Sequence, residues 1–266
     1  MDNREVILDI QNITKTFPGV RALNDVSFQV RKGSVHALVG ENGAGKSTLI
    51  NVLTGIYHAD GGKFFYKGKE AHVTTPLEAQ HLGISVVHQE LKLSETLSVA
   101  ENIFLGRTFM TSAHLVDWKN LRAEANRLLD SLNIKLDVDT EVSRLSVAQK
   151  QIVEICKALS FNAELIIMDE PSATLTDKEL DSLFHIVDIL KERGVTIVYI
   201  SHRMEEIFQI ADMVTVLRDG GHVETLPVAD VDRGKLISMM VGRTLGEEYP
   251  KLEAEIGDVA FEVKNL

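Results

Sequence analysis

Four mostly apolar runs divide the chain, at residues 35–39, 84–87, 165–168 and 195–200. Short runs of this kind, bounded by polar or turn residues, are typical of β-strands that are buried on both faces. Between and after them, apolar residues recur at helical spacing, most clearly over residues 177–193. The pattern therefore predicts an α/β core of buried strands and amphipathic helices.

Two shorter patterns predict an antiparallel flank beside this core. Residues 6–13 and 26–30 are β-rich runs separated by a turn that contains Pro18 and Gly19. Residues 60–68 have the composition of a β-hairpin. These segments precede or interrupt the buried strands, so we expect them to form a separate β layer.

The chain becomes helical over residues 98–160. A capping-box pattern at Ser98 opens a helix through Leu105, and leucines at helical spacing predict a second helix over residues 117–132. Ser146 caps a third helix, which is rich in apolar residues. We interpret the segment as a helical subdomain inserted between two parts of the α/β core.

Composition narrows the class of protein further. The chain has 266 residues, of which 44% are hydrophobic, and its formal charge is −11. This length and apolar content suit a large folded domain, and the acidic balance argues against broad binding to nucleic acid or to anionic lipid. The single Cys156 excludes a disulfide framework within the chain and most simply packs as a small apolar residue. No apolar run has the ~18 residues of a membrane span and no signal segment is visible, so we expect the cytoplasm as compartment.

A glycine-rich turn follows the first buried run, where residues 40–47 read GENGAGKS and lead into a helix from Thr48. Such a turn lets backbone N–H groups surround a phosphate chain, and the helix adds its positive dipole end. Lys46 would reach the outer phosphates and the Ser47 hydroxyl would hold Mg²⁺. The alternative is an ordinary strand-to-helix loop, but the flanking strand and helix favour nucleotide binding.

Polar side chains follow three of the buried runs. Asp169 and Glu170 end the third run, Gln89 follows the second, and His202 follows the fourth. Ligands bind at the carboxyl ends of strands in α/β sheets, which is also where the glycine-rich turn opens. We expect Asp169 to hold Mg²⁺ through water and Glu170 to polarise a water for attack on the γ-phosphate. The alternative is a set of solvated residues at strand ends.

Two features have only structural interpretations when they are considered alone. Phe17 lies at a strand end, where local sequence favours a core residue over a stacking partner for adenine. Residues 145–149, which read LSVAQ, are in themselves a helix start.

Together these features resemble the ATP-binding cassette (ABC) ATPase family over nearly the whole chain. Residues 40–47 match its Walker A motif, Gln89 its Q-loop, residues 145–149 its signature, residues 165–169 its Walker B motif, and His202 its switch histidine. The resemblance implies a P-loop NTPase (RecA-like) core with an antiparallel β flank and an inserted helical subdomain. It also implies that Phe17 stacks on adenine and that two cassettes sandwich ATP between Walker A of one and the signature of the other.

The resemblance assigns functional roles residue by residue. It implies that ATP is bound by Phe17, Val20, Gly40, Asn42, Gly43, Ala44, Gly45, Lys46, Ser47, Thr48, Ser146, Val147 and Ala148. It implies that Mg²⁺ is held by Ser47, Gln89 and Asp169, and that Glu170, His202, Lys46 and Gln89 act in hydrolysis.

The chain departs from the common family pattern at three positions. Val147 and Ala148 replace both glycines of the usual signature, and Thr176 replaces a common aspartate. These departures look like the monosaccharide-importer subgroup, the ribose, galactose and xylose type. That subgroup carries two cassettes in one chain, and residues 259–266 echo residues 6–13 with their apolar positions in register.

These observations predict a domain plan. We expect the core in residues 1–97 and 161–226, the signature subdomain in residues 98–160, a trailing helix and linker in residues 227–258, and the start of a second, truncated cassette in residues 259–266.

The resemblance implies an ATPase that powers sugar uptake from the cytoplasmic face of the membrane. Its implied partners are transmembrane permease subunits, which residues 91–97 would face, an extracytoplasmic sugar-binding protein and a second cassette. Two alternatives are an ATP-binding regulatory cassette that hydrolyses little ATP, and a soluble ABC ATPase of DNA repair or translation. The acidic charge and the lack of basic arms count against the latter.

Overall fold

The computed structural model describes residues 4–107, 109–111, 115–242 and 261–264. The described residues form a six-stranded sheet of order β10-β9-β3-β8-β7-β6 and a four-stranded sheet of order β2-β1-β4-β5. The strands are β1 (Val6–Phe17), β2 (Val20–Arg31), β3 (Val35–Val39), β4 (Gly61–Tyr66), β5 (Lys69–Ala71), β6 (Ile84–Val87), β7 (Leu165–Asp169), β8 (Thr196–Ile200), β9 (Met213–Arg218) and β10 (Gly221–Pro227). The helices are α1 (Lys46–Leu53), α2 (Pro76–Leu82), α3 (Val99–Ile103), α4 (Trp118–Ser131), α5 (Val147–Ser160), α6 (Asp177–Glu192), α7 (Met204–Ile210) and α8 (Arg233–Val241).

The six-stranded sheet has a hydrophobic cluster on each face. Successive side chains of a strand point to opposite faces, and in β8 Tyr199 belongs to one cluster while Ile200 belongs to the other. One cluster joins the sheet to the antiparallel sheet and to α1. The other joins it to helices that include α5 and α6. This two-sided burial explains why the sequences of the central strands are mostly apolar and do not alternate with polar residues.

Strand register places the predicted chemistry at one rim. Within the six-stranded sheet, strands β9, β3, β8, β7 and β6 are parallel, and β10 is the described strand that runs antiparallel to its neighbour. Ile200 is the register partner of both Leu38 and Asp169. The carboxyl ends of β3, β7 and β8 therefore lie side by side.

The predicted antiparallel flank is confirmed, but its strands are longer than expected. β1 and β2 form one hairpin whose pairing continues to Phe17 and Val20 on either side of the turn. The predicted runs end at residue 13 and resume at residue 26, and Asn12 and Asp25 lie next to these limits. Both have positive φ and lie beside irregularities in the register, which let the hairpin continue past them.

The helical segment forms as expected, with one correction. Ser98 caps α3 through a capping box with Glu101, but the helix ends at Ile103 rather than at Leu105. The chain turns at Gly106, whose φ is +82°, which the helix cannot accommodate. Apolar residues of this segment share a cluster with one face of the six-stranded sheet. The division into core and subdomain stays a prediction.

The hairpin of β9 and β10 was not predicted from the sequence. It pairs beside β3 and extends the six-stranded sheet, and the turn contains Asp219 and Gly220. The expected trailing helix corresponds to α8, whereas residues 243–258 of the expected linker and half of residues 259–266 lie outside the described residues. No helix in the described part of the chain is long and apolar enough to cross a bilayer.

Candidate functional site

The turn between β3 and α1 needs glycine for steric reasons. Gly45 has a φ of +102°, and a Cβ atom there would lie 2.6 Å from the carbonyl oxygen of Ala22. A Cβ atom at Gly40 would overlap the carbonyl oxygen of Leu217. Backbone atoms of neighbouring segments therefore lie close to both ends of the turn, and any residue other than glycine would require these segments to move.

The N-terminus of α1 is left open by this turn. Gly45 is the N-cap residue, so no side chain accepts a hydrogen bond from the first N–H groups of the helix. These donors and the positive end of the helix dipole are available to an anion. The turn thus has the geometry of a phosphate-binding loop.

Lys46 lies folded back against the turn. Its Nζ donates to the carbonyl oxygens of Gly40 at 2.7 Å and Glu41 at 3.0 Å. Burial lowers the pKa of Lys46, while the nearby Glu170 and Asp169 act in the opposite direction. The ammonium is therefore held at the floor of the site and faces two carboxylates.

Asp169 and Glu170 are brought together at the end of β7. Burial raises the pKa of Asp169, the charge of Glu170 raises it further, and Lys46 lowers it. Glu170 lies just past the strand with a φ of +47°, and its N–H donates to the carbonyl oxygen of Ile200 at 3.0 Å. A non-glycine residue in this region is uncommon and costs free energy, so the surrounding contacts hold Glu170 in place.

His202 lies next to the acidic pair. Its Nδ1 is 3.4 Å from Oε1 of Glu170, and its side chain is mostly exposed. His202 thus contacts Glu170 at the rim, as its position after β8 predicted. It is not among the described residues that line the cleft over Lys46.

A cleft of about 790 Å³ opens over the turn. It is lined by Phe17, Val20, Arg21, Ala22, Asn42, Gly43, Gly45, Lys46, Ser47, Thr48, Gln89, Asp169, Glu170 and Asp219. The volume lies within the range of ligand sites, roughly 300–1,000 Å³. Most of the predicted site residues therefore share one cavity.

The expectation from local sequence alone that Phe17 is a core residue is wrong. The Phe17 ring is half-buried at the edge of the cleft and not in the core. The exposed Val20 lies across the hairpin turn from it. The hairpin carries both residues to the cleft because its pairing extends to its tip.

Some predicted residues lie elsewhere. Ala44 is buried behind the turn. Ser146, Val147 and Ala148 at the start of α5 are absent from the described lining of the cleft. Val147 instead lines a second cleft of about 390 Å³, which Gln89 and Glu170 also border.

Three cleft residues were missed. Arg21 and Ala22 follow Val20 on β2, and Asp219 lies in the turn of the β9–β10 hairpin. The dipeptide Asp219-Gly220 is a turn signal, but it does not tell which turn reaches the cleft. Only the pairing of β9 beside β3 reveals that.

The cleft contains the donor set that Mg²⁺ prefers. Ser47, Gln89 and Asp169 line it together and supply hydroxyl, amide and carboxylate oxygens. Hard cations of this size take oxygen ligands and retain several waters, so few protein ligands are needed. The half-buried Asp169, whose pKa is raised by burial and by Glu170, is the anion that such a cation would neutralise. The residues therefore fit a magnesium ion.

The family described as ABC transporter matches residues 23–173, which is more than half of the chain. The chain belongs to this family. The match begins in β2 and ends just after Glu170, so it spans the glycine-rich turn, the helical segment and both carboxylates.

Curated relatives extend the similarity to nearly the whole chain. The chain is 50% identical over 262 residues to the galactose/methyl galactoside import ATP-binding protein MglA of Escherichia coli, covering 98% of the chain and 52% of that protein. It is 47% identical over 264 residues to a protein of Hahella chejuensis described as a ribose/galactose/methyl galactoside import ATP-binding protein, covering 99% and 51%. The chain spans about half the length of the curated relatives it matches.

Solved cassettes share the fold. The ADP conformation of MJ1267, an ATP-binding cassette of an ABC transporter, has a TM-score of 0.77 and 29% identity over 90% of this chain and all of that one. A nucleotide-free cassette from an ABC transporter has a TM-score of 0.76 and 29% identity over 88% and 98%. These similarities confirm the predicted ABC ATPase fold, an α/β P-loop core with an antiparallel flank and helices.

Proposed function

We propose that this chain binds ATP with Mg²⁺ in the cleft over Lys46 and hydrolyses it as the nucleotide-binding domain of an ABC importer for a monosaccharide. One observation carries the proposal. A glycine turn with an open helix N-terminus, a buried lysine, and the Asp169–Glu170 pair all line a single cleft. The Lys46 ammonium and the backbone N–H groups, which can bind phosphate, thus face the two carboxylates, which can bind a metal ion and position an attacking water.

The phosphate chain would lie along the turn. The free N–H groups at the start of α1 would donate to phosphate oxygens, and Lys46 Nζ would exchange its carbonyl partners for the outer phosphates. Mg²⁺ would neutralise charge on the phosphate oxygens when bound to Ser47, Gln89 and Asp169. Phe17 would stack on the adenine at the other end of the cleft.

Glu170 would position the attacking water and accept its proton. Its φ of +47° and its backbone hydrogen bond to Ile200 fix the direction of the carboxylate. His202, 3.4 Å away, would steady Glu170 and donate to the transferring phosphoryl group. Lys46 would stabilise the charge that this group develops.

A second cassette would complete the site. The signature residues Ser146, Val147 and Ala148 lie at the start of α5 and do not line the cleft, which supports a role toward a nucleotide held elsewhere. We propose that they cover the ATP of a partner cassette, which is either the other half of a longer chain or a second chain. Closure of the two cassettes on ATP and their reopening after hydrolysis would drive transport.

The substrate and the further partners follow from the relatives. The relatives named above are sugar-import ATP-binding proteins, and the proposal assigns this chain the same class of substrate. Its partners would be transmembrane permease subunits, facing residues 91–97 at the cytoplasmic side of the membrane, and an extracytoplasmic sugar-binding protein.

The test separates ATP binding from hydrolysis. Mg²⁺-dependent ATPase rate per molecule is measured against protein concentration for the unsubstituted chain and for Glu170→Gln, with ATP affinity measured by calorimetry in parallel. We expect unchanged ATP affinity and a hydrolysis rate that falls about 10²-fold or more in the variant, because the amide cannot accept the proton. Equal turnover by both proteins would remove Glu170 from this role.

The same experiment distinguishes the alternative of a regulatory cassette. A rate per molecule that rises with protein concentration supports composite sites between two chains. ATP binding with negligible hydrolysis at every concentration, also in the presence of the permease complex, would favour the regulatory cassette instead.

A further inference from the structure

The Phe17 ring at the edge of the nucleotide cleft is contacted by two side chains from outside the cleft. The ring of Tyr57 meets it edge-on, with centroids 5.2 Å apart and planes at 73°. The Nζ of Lys15 lies over the Phe17 ring, 5.5 Å from its centroid. Neither Tyr57 nor Lys15 is among the described residues that line the cleft. They therefore touch Phe17 without reaching a ligand in the cleft.

Lys15 is itself fixed in place by Asp60. The Lys15 Nζ is 2.8 Å from Oδ1 of Asp60, whose Oδ2 accepts from the N–H of Thr16 at 2.6 Å. The N–H of Asp60 donates to the carbonyl oxygen of Thr14 at 2.8 Å. The Asp60 carboxylate therefore ties the end of β1 to the start of the β4–β5 hairpin, and the ammonium remains over the ring.

Tyr57 is tied to the phosphate end of the cleft. Its N–H donates to the carbonyl oxygen of Asn51 at 2.9 Å, and Asn51 belongs to α1, the helix that begins at Lys46. The aromatic contact thus connects the helix behind the phosphate-binding turn to the tip of the β1–β2 hairpin. A change at Tyr57 would alter how far the Phe17 ring lies from the turn.

We infer that Tyr57 and Lys15 are positioning residues for the nucleotide base, which hold the Phe17 ring so that its cleft-facing surface is open to a stacked purine. The inference rests on the proposed function. An edge-on aromatic neighbour and a cation over the ring are both favourable partners of an aromatic π system. Because neither Tyr57 nor Lys15 lines the cleft, the part of the Phe17 ring that borders the cleft remains available for a stacked base.

The test compares a ligand that has a base with one that has none. Affinities of Mg·ATP and of Mg·tripolyphosphate are measured by calorimetry for Tyr57→Leu, Tyr57→Phe and Lys15→Met. Tyr57→Leu should bind ATP about 3- to 10-fold more weakly, because the aromatic contact is lost. Tyr57→Phe retains the ring and should retain the affinity. Lys15→Met should weaken ATP binding about 2- to 3-fold. Tripolyphosphate should bind equally to all of these proteins.

A matched control is Phe208→Leu. Phe208 lies on α7 and is 37% exposed, as Tyr57 is, so its loss of an aromatic ring should leave both affinities unchanged. Unchanged ATP affinity in Tyr57→Leu, or an equal loss for ATP and tripolyphosphate, would overturn the inference and leave the proposed function intact. Failure of the unsubstituted protein to bind either ligand would contradict the proposed function and the inference together.

Discussion

Two helix N-termini carry the motifs of this chain, and their local structures are opposite. At α1 the N-cap is Gly45, no side chain caps the helix, and Lys46 is buried beneath the turn. At α5 the N-cap is Ser146, whose hydroxyl accepts from the N–H of Gln149 at 3.3 Å, while the Gln149 side chain accepts from the N–H of Ser146 at 3.0 Å. The first terminus leaves its donors free and the second uses two of them internally.

The free N–H groups of α1 and the capped N–H groups of α5 suit the two helix N-termini to different roles. The terminus of α1 lies at the cleft, with Gly40 and Gly45 close to neighbouring backbone, so its free donors suit the phosphate chain that we propose as the ligand. The terminus of α5 is satisfied by its own capping box, and Val147 beside it is 43% exposed. The α5 terminus therefore needs no ligand to satisfy these groups, which suits the proposed surface that would meet a nucleotide when two cassettes associate.

The largest expected effect comes from removing the buried ammonium. Lys46→Ala should weaken Mg·ATP binding about 100-fold, because charge-assisted contacts to phosphate are lost and Asp169 and Glu170 repel the nucleotide without compensation. The matched variant is Lys150→Ala in the first turns of α5, where Lys150 pairs with the exposed Glu95. It should change affinity by less than about 2-fold. Calorimetric titration of both variants tests the contrast, and similar losses would contradict it.

The next effect comes from adding a side chain to the first terminus. Gly45→Ala should destabilise the protein by about 1–3 kcal/mol and weaken ATP binding, because the new Cβ meets the carbonyl oxygen of Ala22. Gly43 also has positive φ but has open space around it. Gly43→Ala should therefore cost less, about 1 kcal/mol. Equal unfolding free energies of the two variants in urea would argue against the steric explanation.

A third effect concerns the strand that leads into the first terminus. Burial, followed by the charge of His222, lowers the pKa of His36 on β3 to about 4. Because the folded pKa lies below the unfolded value of about 6.5, stability is complete above that value and is lost as the pH falls towards 4. The free energy of unfolding should decrease by about 1 kcal/mol between pH 7.5 and 5.5.

The His36 prediction has a specific control. His36→Gln keeps a polar partner for Thr215, which contacts Nε2 of His36 at 2.7 Å, and cannot take up a proton. This variant should show a flatter dependence of stability on pH. An unchanged slope would mean that other groups are responsible for it.

The smallest effect tests the second terminus. Ser146→Ala should reduce stability by about 0.5–1 kcal/mol through loss of the cap, with unchanged ATP affinity of the chain's own cleft. Ser98→Ala removes the other serine capping box, at α3, and serves as the control. If the signature acts across two cassettes, only Ser146→Ala should lower the ATPase rate of associated chains. Equal rates for the two variants would count against that role.

Features that depend on residues close together in the chain were predicted correctly from the sequence, and features that depend on residues far apart were not. The glycine turn, the capping box of α3, the Ser146 cap of α5 and the buried strands depend on neighbours a few residues apart, and all of them form where the pattern predicted. The end of α3, the length of β1 and β2 and the existence of β9 and β10 depend on pairing across the fold. These were wrong or missed, since local propensity does not contain that pairing.

The amino-acid sequence by itself determined the glycine-rich turn, the family and the chemistry that we propose for Lys46, Asp169 and Glu170. Only the tertiary structure decided that Phe17 lies at the cleft and not in the core, that Asp219 lines the cleft, and that Tyr57 contacts the Phe17 ring. The physical reason is that chemistry at the turn is a property of adjacent residues and their backbone angles. The shape of the cleft beside Phe17 depends instead on packing between strands and helices that are distant in the chain.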